Sequence, residues 1–172
     1  GEESMAHLEN AQAGTKQNVK DLAGKYLTFD LGREEYGIGI LKVREIIGLM
    51  EITAVPHTPR YIKGVINLRG SVIPVLDLRL KFNMDSQEYN ERTCIIVVEV
   101  QGESGVLLVG MIVDSVSEVL NIVESEIEPP PSFGGDLETG NFLGMAKIKG
   151  RVKILLDVDE VIGEAGLRSA AI

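Results

Sequence analysis

From residue 25 onward the chain alternates short apolar runs with polar or glycine-bearing breaks, and the runs have the length of strands. KYLTFDL (25–31) and EEYGIGI (34–40) are β-rich and separated by Gly32-Arg33, a turn signal. In KVREIIGLMEITAV (42–55), Val43, Glu45 and Ile47 alternate with their neighbours, as in a strand with two distinct faces. PHTPRYIKG (56–64) carries two prolines and is expected to turn through one helical turn. VINLRG (65–70) and SVIPVLDLRL (71–80) continue as strands, and the polar interval NMDSQEYNE (83–91) then separates two halves. RTCIIVVEVQ (92–101), GVLLVGMIVDSV (105–116), SEVLNIVE (117–124), LGMAKIKG (143–150) and RVKILLDV (151–158) are the strand candidates of the second half. PPPSFGGD (129–136) is a Pro/Gly loop, and DEVIGEAG (159–166) suits a short terminal helix. Roughly ten closely spaced strands with little helix predict an all-β protein of barrels or sandwiches.

The halves resemble each other. With NLRGSVIPVLDL (67–78) set over KIKGRVKILLDV (147–158), Gly70, Val72, Leu76 and Asp77 fall on Gly150, Val152, Leu156 and Asp157. With YGIGILKVREIIGL (36–49) set over VGMIVDSVSEVLNI (109–122), Gly37, Val43 and Glu45 fall on Gly110, Val116 and Glu118. Two matches in the same order predict two similar small barrels, which a single small core would scarcely stabilise apart. Gly70 and Gly150 then mark one hairpin turn in two copies. Pro74 has no counterpart, since Ile154 stands there, and it is expected at a sheet edge or a bulge because it cannot donate to a ladder.

Composition narrows the function. The 172 residues carry 17 basic and 26 acidic side chains, a net charge of −9, so a polyanion is repelled and nucleic-acid binding is not expected. No apolar run approaches the ~20 residues of a membrane span. Residues 1–24 are polar and aperiodic and read as a disordered tail, with Met5 as a native start behind an added leader. One cysteine, Cys94, and no export signal place the chain in the reducing cytoplasm.

Catalytic chemistry is poorly represented. Asp77 and Asp157 suit a carboxylate pair in a small β-barrel enzyme. Each, however, follows an apolar strand and precedes a helical turn, where a helix cap is the better reading. His7 and His57 supply no spaced ligand set for zinc, and neither a nucleophile elbow nor a phosphate loop is present. An oligonucleotide-binding barrel would need a basic stacking face. What remains is Arg69 at its turn and Glu45 on its strand. If their strands adjoin, they form either an ordinary surface pair or a rim charge orienting a partner.

YGIGILKVREI, TPRYIKGVINLRGSVIPVLDLR and VGMIVDSVSEVLNI together resemble the CheW family of bacterial chemotaxis coupling proteins, over about residues 25–160. The resemblance implies two five-stranded SH3-like barrels around a shared core, at 25–165, with subdomains at roughly 25–90 and 91–160 that exchange strands. Residues 161–172 would be a C-terminal segment, in part helical. It implies no enzymatic activity and no cofactor. It implies an adaptor, monomeric in isolation and without membrane insertion, that joins the cytoplasmic tip of chemoreceptors to the regulatory domain of the kinase CheA at membrane-associated arrays. Carried over by motif, the partner-binding positions are Val43 and Glu45 in ILKVREI, Gly64, Asn67 and Arg69 in IKGVINLRG, and Val116 and Val119 in VSEVL. The valines would supply apolar groove wall, and Gly64 a close approach or a special backbone angle.

Overall fold

A computed structural model describes residues 19–130 and 141–163. The chain order is α1 (Val19–Leu22), β1 (Gly24–Leu31), β2 (Glu34–Gly39), a 3-10 turn (Ile40–Lys42), β3 (Val43–Gly48), β4 (Ile62–Leu68), β5 (Ser71–Asp77) and α2 (Leu78–Lys81). There follow β6 (Cys94–Gly102), β7 (Gly105–Val113), β8 (Ser115–Ile122), a 3-10 turn (Glu124–Glu126), β9 (Ile127–Glu128), β10 (Phe142–Ile148), β11 (Arg151–Leu156) and α3 (Val158–Ile162). The protein is all-β, and among the described residues helix is confined to single turns.

Two sheets form, ordered β8-β1-β2-β11-β10-β9 and β3-β6-β7-β5-β4. The expectation of five strands per unit fits the second sheet, and the first adds the two-residue β9. Neither is a continuous closed barrel. Past β3, Thr53 instead reaches the open side of β4, exchanging N–H···O bonds of 2.8 and 2.9 Å with Val65. Past β8, β9 pairs with β10 in the equivalent place, Glu128 opposite Met145. These short bridges bring each sheet round upon itself.

The sheets repeat each other strand for strand. Hairpin β1–β2 corresponds to β6–β7, β8 to β3, and β10–β11 to β4–β5, with one parallel seam in each sheet (β2 with β11, β7 with β5). Each sheet therefore takes a hairpin from one repeat and three strands from the other. The matching details extend to side chains. Arg69-Gly70 and Lys149-Gly150 both have positive φ at the two central turn positions, as a two-residue hairpin of right-twisted strands requires. Asp77 and Asp157 each cap a helical turn, accepting from Leu80 N and Glu160 N at 3.3 Å.

A shared core fills the space between the sheets: Leu27, Phe29 and Ile38 from one, Ile96, Val98 and Met111 from the other, and Val158, Val161 and Ile162 of α3 across them. Each such buried side chain contributes about 1.5–3 kcal/mol. Each sheet also has one smaller cluster of its own, around Tyr26, Ile122 and Leu155 in the first and around Ile66, Ile73, Val97 and Ile112 in the second.

Three expectations need correction. The tail does not extend to residue 24: Val19–Leu22 is helical, Leu22 is buried, and its carbonyl accepts from Tyr26 Oη at 2.6 Å. Residues 1–18 lie outside the described residues, as do 131–136 of the Pro/Gly loop and 164–172 at the C-terminus. Residues 56–61 make hydrogen-bonded turns but no helix. Pro74 is on neither an edge strand nor a bulge, because β5 lies between β7 and β4. The sheet accommodates it by shifting the ladder. On β11 the parallel pairing covers Lys153–Leu155, whereas on β5 it starts only at Val75, just past the proline.

Candidate partner-docking site

The β4–β5 turn carries the charge that the sequence singles out. Leu68 opposes Ser71, which leaves Arg69 and Gly70 as a two-residue loop with φ of 51° and 88°. The turn is pinned by Asn67, whose Oδ1 accepts from Gly70 N at 2.9 Å. A left-handed Arg69 throws its side chain across the end of the sheet, and the guanidinium meets Glu45 of β3 face on. Nη1 donates to Oε1 at 2.9 Å and Nη2 donates to Oε2, a bidentate pair. The hydrogen bonds from Arg69 hold the Glu45 carboxyl below its usual range, against a weaker push from desolvation. Glu45 reciprocally raises Arg69, so the pair is doubly charged at any physiological pH. Arg69 remains 69% exposed, open to a partner.

Beneath the pair lies an open groove of about 220 Å³, floored by Leu68, Ile73, Val97 and Leu108. Gly64 sits further along β4 and is buried. Its φ is 143°, and a Cβ there would stand 2.0 Å from Thr53 O. Gly64 thus provides both the close approach and the backbone angle foreseen, and both serve the Thr53–Val65 bridge. The equivalent Gly144 does the same for β9, where a Cβ would meet Glu128 O at 2.7 Å.

The seven sequence-derived positions fall into two groups. Glu45, Asn67 and Arg69 share one end of the five-stranded sheet, with Gly64 and Val43 on the same edge strands. Val116 and Val119 lie on β8, in the other sheet. Val43 and Val116, equivalent in the repeat, are half-buried against the shared core. Val119 and its counterpart Ile46 are exposed at 51% and 44%. Sequence reading passed over Ile46, Val72 and Leu41, the last 90% exposed in the 3-10 turn before β3. Ile46 was within reach, since it alternates out of phase with Val43 and Ile47.

The carboxylates of the enzyme reading are otherwise engaged. Asp77 accepts from Leu80 N and from Tyr89 Oη (2.7 Å), and Asp157 caps α3 in the other sheet. Among the described residues no cluster of three His, Cys, Asp or Glu forms a metal site, and no helix is long and apolar enough to cross a membrane.

The CheW-like domain family matches residues 25–166. The chain belongs to the CheW-like family. This CheW-like chain is 42% identical over 149 residues to a Chemotaxis protein CheW of Klebsiella aerogenes, covering 84% of this chain and 87% of that protein. It is 37% identical to a Chemotaxis protein CheW of Rhizobium meliloti, over 78% of this chain and 84% of the relative. Among solved structures, the scaffolding protein TtCheW from Thermoanaerobacter tengcongensis superimposes with a TM-score of 0.73 at 36% identity. That match covers 84% of this CheW-like chain and 95% of the other.

Proposed function

We propose that the chain is a non-catalytic chemotaxis adaptor that couples the cytoplasmic tips of chemoreceptors to the regulatory domain of CheA. The observation that carries the reading is the exposed, doubly hydrogen-bonded Glu45–Arg69 pair over an apolar groove, in a chain whose relatives are named as chemotaxis and scaffolding proteins. A rigid charged rim around an apolar floor is the composition of a protein-docking site, where the charge orients and the floor is desolvated. In this reading Glu45, Asn67 and Arg69, with Gly64 supporting the strand, form one docking end. Val43, Val116 and Val119 line an apolar surface on edge strands β3 and β8 that suits a receptor helix. The protein works in the cytoplasm, as a monomer before it is recruited to receptor arrays.

The test is a pull-down of the full chain with a receptor signalling-tip fragment and, separately, with CheA's regulatory domain. Binding to both supports the adaptor. Binding to neither removes it.

A further inference from the structure

The two parallel seams occupy equivalent places in the two sheets, yet they differ in one pair of residues. In the β2–β11 seam, Glu35 faces Lys153, Tyr36 faces Ile154 and Gly37 faces Leu155. In the β7–β5 seam, Val75 faces Gly110. Continued back two residues beyond the end of that ladder, the same register would set Ile73 opposite Leu108, and both pack into that sheet's inner cluster. The repeat therefore sets Lys153 where the other sheet has Ile73, and Glu35 where it has Leu108. Glu35 and Lys153 form an ion pair with side chains only 14% and 10% exposed, and Arg151 stands 3.6 Å from the other Glu35 oxygen.

Each seam joins a hairpin of one repeat to a strand of the other. The competing fold is simple: each repeat keeps its own hairpin, so that β2 lies on β5 and β7 on β11. Most of the seam accepts this exchange. A glycine faces a branched aliphatic in both sheets, Gly37 against Leu155 and Gly110 against Val75, with similar clearances of 3.1 and 3.2 Å for a Cβ. Pro74 forfeits a donor in either arrangement. The pair that differs in charge is Glu35–Lys153. In the competing fold Glu35 would be pressed against Ile73, and Lys153 against Leu108. Each would lose the partner it has across the present seam and face an aliphatic side chain instead, the costly result of separating a largely buried pair.

We propose that the Glu35–Lys153 ion pair selects the exchanged topology, by penalising the fold in which each repeat closes on its own hairpin. Its task is to specify which hairpin completes which sheet, a use of buried charge distinct from adding stability.

The test uses three full-length proteins, each refolded from denaturant and brought to equilibrium. These are the wild type, the double variant Glu35→Leu/Lys153→Ile, and a transposed variant that adds Ile73→Lys and Leu108→Glu. Two-dimensional amide spectra report the number of folded forms, and the backbone contact between residues 37 and 155 identifies the exchanged one. The wild type gives one set of resonances. The double variant gives a second, folded set at about a tenth of the intensity or more, lacking the 37–155 contact. The transposed variant returns to one set with that contact present, because the pair has moved to the other seam without leaving it unmatched. A double variant with a single set retaining the 37–155 contact overturns the proposal. So does a transposed variant that stays heterogeneous or fails to fold.

Discussion

Glu45 on edge strand β3 and Arg69, in the turn that follows the opposite edge strand β4, are joined by two hydrogen bonds. Three strands separate them in the order β3-β6-β7-β5-β4, so the sheet must curl until its two rims face each other. The curl is secured nearby by backbone, through Thr53 and Val65, and at the rim by side chains alone. The pair is thus both a clasp and an exposed charge, and a single substitution removes both properties together.

A charge reversal separates them. Arg69→Ala should keep the far-ultraviolet dichroism of the wild type, since an exposed guanidinium is not a core group, and should weaken kinase coupling in a receptor–CheA assay. Glu45→Arg/Arg69→Glu rebuilds a clasp with its polarity inverted. Coupling that stays lost in the double variant marks Arg69 as a group read by the partner. Full recovery would show that only the clasp matters.

Gly64→Ala should be the more damaging of two equivalent changes. Its Cβ would overlap a backbone oxygen that cannot step aside, at a φ of 143°, and the cost is about 3 kcal/mol or more. Gly144→Ala meets Glu128 O at 2.7 Å and has no positive φ to violate, so its cost should be smaller. Urea midpoints of the two variants provide the comparison. Equal losses would mean that the Thr53 bridge yields as readily as β9.

The two caps should also differ. Asp157→Ala removes one hydrogen bond to a half-buried helix start, worth about 1 kcal/mol. Asp77→Ala removes the same bond and in addition strands Tyr89 Oη, for a total of about 2–4 kcal/mol. Thermal unfolding of both would reveal the gap. Indistinguishable melting points would dismiss the Tyr89 contribution.

Acid should reveal the Asp114 junction. Burial pushes that carboxyl up, but hydrogen bonds from Arg79 and from Gly32 N outweigh it and hold the group below its ordinary value near 3.8. A folded value below the unfolded one means stability that is present above pH 3.8 and is lost as the pH falls through the folded value. Asp114→Asn should therefore be less stable than the wild type at neutral pH, with the deficit closing as acid is added. A deficit that is constant with pH would remove the charge from the explanation.

Much of this was legible in the sequence because the fold is made of signals that are local. The hairpin Arg69-Gly70 and its copy Lys149-Gly150 are turn chemistry, and Asp77 and Asp157 are cap chemistry, so alignment of the halves found the strands that contain them. The Glu45–Arg69 pair was legible only as a possibility, because spacing along a chain says nothing about how far a sheet curls. Pro74 misled for a related reason. Proline does exclude a donor, but whether a strand moves to the edge or merely starts its ladder two residues later depends on its neighbours. The Glu35–Lys153 contact gave no local sign at all, since its partners meet across a seam between repeats.

The reciprocal exchange of hairpins has a consequence for ancestry. Two copies of a half-length chain that traded hairpins about a two-fold axis would build these same two sheets. Such a dimer would have identical ends by symmetry. Joining the copies through the polar segment between Lys81 and Cys94 frees the ends to diverge, and they have diverged. One carries Arg69 clasped to Glu45, while the other has Lys149 in the same turn and no ion pair to Glu118 among the described residues. A fused chain can present two different faces to two different neighbours, which a symmetric dimer of its halves cannot.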